Sequence, residues 1–366
     1  MAVQTAHEVG RAARAKFLAD LNDVESPATA QMMRQYKIAM SRIAATMARV
    51  LKGGDAHSAA LLAGHENDLR IAMIQGRASY ILGELDRFGA QGAAIVADLP
   101  KRAVTLGMAH ATERLSAVSG AFVKPNPRRV AQMAARMSDG TAQRAYLDKF
   151  ATRGTQSAVD AMTQGVLMGN HPDVIIRDLS SQMSGDGANL ATFVRSNVMG
   201  AARDGLTATM QDNSDVCTGW LWNCAEDEST CEVCWGMNGT QHDVSEDMDS
   251  HPGCRCIQDP TTQSYSDIVG SGGDASAGDL TDTSAQAFSP DERFTSTLSE
   301  AQQLNVLGPG KFSLFQDGKI SLADLVTKTH SPTWGPGLRS TTLTELQAKG
   351  IGQAPVIDQV ARAARK

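Results

Sequence analysis

The sequence predicts a mainly α protein: a multi-helix body, then a small α+β module built around cysteines, then an extended, partly disordered C-terminal tail. Three observations predict it. Aromatic residues make up only 5 % of the 366 residues while the apolar fraction is 42 %, a bias towards Ala and Met that favours helices packed through small side chains over a sheet sandwich. Apolar residues recur at helical spacing through the first 210 positions. All six cysteines fall between Cys217 and Cys256.

Taken in order, Ser26-Pro27 reads as a helix start, with serine as N-cap and proline at the first helical position. Ile38, Ile43, Met47, Val50 and Leu51 follow at roughly helical spacing, and Gly53-Gly54 reads as the stop. A second amphipathic segment covers about 58–88, with Leu69, Met73, Ile74, Ile81, Leu85 and Phe88. Others cover about 100–121, 126–138, 140–168, 172–183 and 188–211, with breaks at Pro125-Asn126-Pro127, Gly169-Asn170-His171-Pro172 and Gly185-Asp186-Gly187. The Met and Leu stripes are core positions. Val216 to Trp222 alternates as a strand does, placing Trp220 and Trp222 on one face. Residues 261–290, rich in Gly, Ser, Asp and Thr, read as a flexible linker. Short helices are expected around 291–305, 311–316 and 321–328, separated by Gly308-Pro309-Gly310 and Asp317-Gly318, with His330 to Gly337 as a loop. The expected organisation is a helical body over 1–210, the cysteine module over 211–260, the linker over 261–290 and a short-helix tail over 291–366.

Charge narrows the function classes. Residues 1–211 hold 24 bases against 18 acids, whereas 212–260 hold Arg255 against 11 acids. The mild surplus over 211 residues is not the concentrated basic footprint of a dedicated nucleic-acid binder. No run of about 18 uncharged apolar residues exists, so no membrane span is expected, and the charged N-terminus lacks the apolar core of a secretory signal.

One motif is sharp: Cys231-x2-Cys234, sixteen residues, then His251-Pro252-Gly253-Cys254-Arg255-Cys256. Two thiols separated by two residues can turn towards a common point, and a second pair arriving 15–20 residues later closes a tetrahedron. Clustering in a chain long enough to need no disulfide staples points to one local zinc site in a reducing compartment. The candidate ligands are Cys231, Cys234, His251, Cys254 and Cys256, the fourth position lying between His251 and Cys256. The α+β module is therefore expected to be zinc-stabilised, the metal structural. Cys217 and Cys224 read as small core residues, His242 as solvated, and Glu226, Asp227, Glu228 and Glu232 as a solvated acidic face.

No catalytic pattern accompanies the metal motif. There is no His-Glu-x2-His, no His-x-Glu ahead of a Pro-Cys-x2-Cys, no phosphate-binding Gly-x4-Gly-Lys-Ser/Thr and no Gly-x-Ser-x-Gly elbow. His7, His57, His65, His110 and His171 are spread along or between helices and read as surface or internally satisfied residues.

The stretch from about 163 to 260 resembles the phage head morphogenesis family, the Mu F-like minor head proteins. Arg195 in FVRSNVMGAARDG corresponds to that family's helix arginine and Trp220-Leu221-Trp222 to its strand. AEDESTCEVCWGMNG corresponds to its acidic Cys-x2-Cys turn, and HPGCRC to its closing signature. The resemblance implies a structural, non-enzymatic virion protein present in few copies, at the portal vertex or inner head surface, acting in head morphogenesis or genome delivery. It implies the portal protein and the major capsid protein as partners, packaged DNA as a further one, and neither a membrane nor a small-molecule substrate. The host cytoplasm would hold it during assembly. Arg195 is open to two readings, an anchor pairing with the acidic module or a solvated helix arginine. Two other functions stay open: a zinc-dependent nuclease or other treble-clef enzyme, and a DNA-contacting packaging or ejection factor.

Overall fold

The computed structural model describes residues 6–52, 66–119, 126, 128–129, 133, 141–263, 288–331 and 335–350. Helices dominate, as expected. They are α1 (Ala6–Lys52), α2 (Glu66–Gly76), α3 (Ala78–Val96), α4 (Leu99–Ser119), α5 (Thr141–Leu167) and α6 (Pro172–Asp212). The cysteine segment adds β1 (Cys217–Asn223), α7 (Glu232–Met237), β2 (Gln241–His242) and β3 (Ile257–Thr262). Beyond it come α8 (Pro290–Thr297), α9 (Glu300–Gln316), a 3-10 turn (Leu322–Leu325), β4 (Val326–Ser331), β5 (Gly335–Ser340) and α10 (Leu343–Ala348). None of the described helices is long and apolar enough to cross a membrane.

The chain forms two compact units. The helical unit comprises residues 19–103 and 131–201. Its centre is an aromatic cluster in which Tyr36, Phe88 and Phe150 lie with ring centroids 5.2 to 6.0 Å apart. Tyr36 satisfies its buried hydroxyl by donating to the Met183 carbonyl at 2.9 Å. Met32, Ile43, Met47, Leu85, Leu147 and Leu179 belong to the same unit's core, all buried. Small residues let the helices approach, the packing that the Ala- and Met-rich composition favours. A Cβ on Gly92 would meet Met32 Sδ at 2.9 Å, and one on Gly165 would meet Ile175 Cγ1 at 2.8 Å.

Two expected helix boundaries in this unit are overturned. Pro27 lies inside α1 rather than at a helix start. A missing N–H removes one rung of the ladder. Val24 and Ala28 are buried on either side of it, and that burial carries the helix through. Ser26 donates its hydroxyl to Asn22 Oδ1 at 2.9 Å instead of capping. Gly185-Asp186-Gly187 likewise does not break the chain, since α6 runs from Pro172 to Asp212. A Cβ at Gly187 would stand 2.7 Å from Met33 Cε, so this glycine serves close packing against α1. The break before Pro172 is real, with Gly169 at φ 71°. The segment expected over 58–88 is two helices meeting at Arg77, whose ψ of 0° interrupts the spiral. The Gly53-Gly54 stop, His7's side chain, His57 and His65, most of the 126–138 helix, and most of the 261–290 linker lie outside the described residues.

The cysteine unit comprises residues 1–18, 104–130 and 202–366. Here α4 and α6 cross at glycines. A Cβ on Gly107 would collide with the Ala202 carbonyl, and one on Gly205 would sit 2.5 Å from the Val104 carbonyl oxygen. Gly107→Ala is expected to cost about 1–3 kcal/mol or more, because backbone cannot give way as a side-chain tip can. A urea midpoint followed by tryptophan fluorescence checks this, and a change below about 0.5 kcal/mol would show the crossing to be slack. Near the crossing His110 stacks on Phe17 with centroids 4.3 Å apart. Burial, with Arg114 and Lys16 nearby, holds its pKa down to about 4 against the pull of Asp259, so the ring is neutral at neutral pH.

The sheet of this unit has the order β2-β1-β3, antiparallel throughout, with Trp220 opposite His242 on one side and Pro260 on the other. Trp220 and Trp222 are fully buried, and both rings lie against His242, with centroids 4.2 and 6.3 Å away, on the one face that the alternation predicted. Past residue 287 the helix expected over 291–305 is divided between α8 and α9, and α9 runs on through the one expected over 311–316, kinked at Gly308, φ 69°, where a break was expected. The helix expected over 321–328 is only the 3-10 turn Leu322–Leu325, after which strand β4 begins. His330, Ser331 and Gly335 to Gly337, expected in a loop, instead lie in the paired strands β4 and β5, Val326 opposite Ser340 and Ser331 opposite Gly335. The Thr and Val residues of β4 suit a strand. The residues 288–350 pack on the cysteine module: Trp235 meets Phe294 edge to face at 5.2 Å, and Phe294 meets Phe315 at 5.7 Å. Gly236 lets the Leu322 carbonyl rest directly on α7.

Candidate metal centre

The centre is assembled from α7 and the irregular loop before β3. Cys231 is the N-cap of α7, with extended φ/ψ, and Cys234 lies one turn in, so both sulfurs leave the same side of the helix start. The loop brings in His251, Cys254 and Cys256. His251 Nε2 stands 3.1 Å from the Sγ of both Cys231 and Cys234, and Cys234 Sγ stands 3.6 Å from Cys254 Sγ. The five donors thus form two triads sharing Cys234: Cys231, Cys234 and His251, then Cys234, Cys254 and Cys256, each within 4.8 Å. Among the described residues these are the groups able to hold a metal ion.

Two hydrogen bonds prepare the donors. His251 Nδ1 lies 2.9 Å from the Pro252 carbonyl oxygen. A carbonyl can only accept, so Nδ1 carries the proton and the Nε2 lone pair faces the sulfurs. The Cys256 N–H donates to Cys254 Sγ at 3.4 Å, a contact that favours thiolate. The remaining cysteines differ. Cys217 turns its thiol to the Gly219 carbonyl and burial pushes it up to about 11, while burial pushes Cys224 higher still. Both are neutral core residues, as expected.

Around the centre half of the acidic face turns inward. Glu226, at φ 55°, has a side chain only 6 % exposed and accepts two bonds from Arg293, at 3.0 and 2.7 Å, one from Asn238 at 3.1 Å and one from Arg14 at 3.4 Å. Burial alone would raise its pKa, but Arg293 and Arg14 hold it below the usual carboxylate range. Glu232 pairs with Lys311 at 2.6 Å and also accepts from Ser340. Asp227 takes a two-pronged bond from Arg255, at 2.8 and 2.6 Å. The expected solvated face is therefore half a set of covered ion-pair nodes, Glu226 and Glu232, while Glu228 is at the surface and Asp227 keeps its side chain 43 % exposed. Sequence gave no sign of this, because the partners lie up to 212 positions away. His242 is also not solvated: it stacks on Trp220 at 4.2 Å and contacts Thr240 and Glu246, away from the sulfurs.

Arginines from the two crossing helices hold the ligand loop. Arg203 donates to the Cys256 carbonyl at 2.9 and 2.8 Å, to the Cys254 carbonyl at 3.0 Å and to Ser250 Oγ at 2.7 Å. Arg114 pairs with Asp259 at 2.9 and 3.3 Å. Arg195 does neither of the things expected of it. It pairs with Glu25 inside the helical unit, at 2.8 Å. The arginine that meets the module lies eight positions on, in the same FVRSNVMGAARDG stretch. That offset is about 80° past two full helical turns, so the two side chains meet different neighbours.

These features define a class: a helical protein carrying a thiolate- and imidazole-rich knuckle that could hold a metal ion. Residues 156–258, from within α5 to the second residue of β3, match the family described as Phage Mu protein F like protein. None of the curated proteins and none of the solved structures is a match. The matched segment contains all five candidate ligands together with Arg195 and Arg203.

Proposed function

We propose that this chain is a structural minor head protein of a tailed bacteriophage, acting in head morphogenesis or genome delivery, with zinc as a staple and no catalytic role. The observation that carries the reading is the coincidence of the family match with the knuckle: residues 156–258 end just past the last candidate ligand. In its zinc-bound form Cys231, Cys234, His251 and Cys254 hold the ion. Zinc with Zn–S of about 2.3 Å and Zn–N of about 2.0 Å places neighbouring sulfurs about 3.8 Å apart and sulfur and nitrogen about 3.5 Å apart. The separations of 3.6, 3.1 and 3.1 Å among these donors come within a few tenths of an ångström of that. His251 supplies the nitrogen because its tautomer already presents Nε2. Cys256 shares the second triad with Cys234 and Cys254, and it donates its backbone N–H to Cys254 Sγ. Four protein donors leave no open position for a reacting water, the arrangement of a structural rather than a catalytic site.

The staple offsets real costs. Among the described residues the buried indole N–H groups of Trp220, Trp222 and Trp235 have no protein acceptor, each costing about 1–3 kcal/mol. Metal binding in such modules contributes about 10–16 kcal/mol. The organised module then serves as a rigid docking piece for the portal protein or the major capsid protein inside the virion. Capture of the full chain by immobilised portal protein, with and without prior chelation, tests this. Retention of the metal-loaded chain and loss of the chelated one is expected; equal capture of both, or of neither, would overturn the docking role.

A further inference from the structure

We infer that Arg203 is a positioning residue for the metal, fixing the second ligand pair and balancing the charge of the bound site. The inference rests on the zinc reading above. The first pair of sulfurs is set by the start of α7, but His251 and Cys254 belong to a loop with no regular backbone between β2 and β3. The turn that closes on Cys254 N–H to His251 O is long, at 3.2 Å. Arg255, inside the loop, ties its own side chain to Asp227, but the loop's backbone is gripped by one guanidinium, that of Arg203. Its fork spans the carbonyls of Cys254 and Cys256 and its remaining amino group reaches Ser250, so residues on both sides of His251 are gripped by the same group. A planar fork suits two fixed carbonyl oxygens in a way that a lysine ammonium does not.

Charge points the same way. Arg203 is buried, and Asp204, the carboxylate whose pKa it lowers, is not within ion-pair distance of it among the described residues. A buried cation so weakly countered is costly. Zinc bound by three thiolates and a neutral imidazole would add one net negative charge to the loop that this guanidinium grips. That charge would come with the metal, so zinc affinity and the seating of the loop on α6 are coupled. Arg114 provides the internal comparison. It comes from the other crossing helix, is as buried, and grips β3 through Asp259, yet touches no ligand residue.

The test is zinc affinity of the full chain by chelator competition, with cobalt substitution reporting the ligand set, in Arg203→Met, Arg203→Lys and Arg114→Met. Supporting contacts to metal ligands are worth about 10–100-fold in affinity. Arg203→Met is expected to lose about that much, Arg203→Lys to fall between, and Arg114→Met to stay within about threefold of the parent. The cobalt spectrum at saturation is expected to be unchanged in all three, because the ligands are the same. Equal losses in Arg203→Met and Arg114→Met would reduce Arg203 to general support of the fold, and an unchanged Arg203→Met would remove it altogether. Should Arg203→Met fail to fold, Arg203→Lys decides, since it keeps the charge and loses the fork: weakened affinity at parental helix content supports the inference, and parental affinity overturns it. A parent chain that binds no zinc would overturn the zinc reading itself, an outcome distinct from a parent that binds and an Arg203 that does not matter.

Discussion

Cys231→Ser is expected to strip the chain of its metal and unfold the module over 212–260. A serine hydroxyl is a poor zinc ligand, and the site loses a corner whose partner His251 lies 3.1 Å away. The metal's contribution of about 10–16 kcal/mol equals or exceeds the whole stability of a typical domain, about 5–15 kcal/mol. The residues 212–260 have little to set against that loss, with 11 acids and three unsatisfied indoles in the module core. Trp220, Trp222 and Trp235 are three of the four tryptophans in the chain and are fully buried. Their emission is therefore expected to shift to the red on this substitution, or on chelation of the parent, while helix content falls little. Full metal occupancy together with unchanged protease resistance in the variant would contradict the assignment.

Glu226→Ala is expected to have the next largest effect, about 3–5 kcal/mol, the usual consequence of removing one member of a buried ion pair. Glu226 ties together three distant parts of the cysteine unit: Arg14 of α1, Arg293 of α8 and Asn238 after α7. Without the carboxylate, Arg293 and the nearly buried Arg14 face each other with no counter-charge. The early consequence is release of residues 288–350 from the module, visible as cleavage within α8 or α9 under limited proteolysis before the rest of the unit opens. A loss under about 1 kcal/mol with no change in the cleavage pattern would mean that the aromatic contacts of Trp235, Phe294 and Phe315 hold the segment alone.

Much of this architecture is legible in the residues, for physical reasons that also explain the failures. Helical spacing located α4 and α5 to within a residue or two, because each buries one continuous stripe. Thiol spacing located the centre, because metal geometry constrains separation along the chain. Pro27 and Gly187 misled because their local preferences, a missing donor and a missing Cβ, read as termination signals. In the folded chain α1 and α6 are fixed by what they bury, with Gly187 admitting Met33. The acidic run misled in the same way: a carboxylate's neighbours in sequence say nothing about Arg14 or Arg293. The interior of Glu226 and Glu232 is a property of the tertiary fold alone. Arg203 was hidden beside Arg195 in one helical stretch, and which of them faces the ligand loop depends on the close approach of α4 and α6 at Gly107 and Gly205. The pairing of β4 with β5 is hard to read because Gly335, Pro336 and Gly337 are turn residues by habit, though Gly337 allows β5 to pass against the Ser250 carbonyl, 2.5 Å from where a Cβ would stand.

The central claim is one closed, structural zinc site built from both cysteine segments. Zinc K-edge absorption on the purified full chain, combined with its metal stoichiometry, tests it most directly. One zinc per chain with three sulfurs at about 2.3 Å and one nitrogen at about 2.0 Å is the result expected. A chain that purifies without metal, or a zinc with an oxygen donor from exchangeable water in place of one of these ligands, would contradict it.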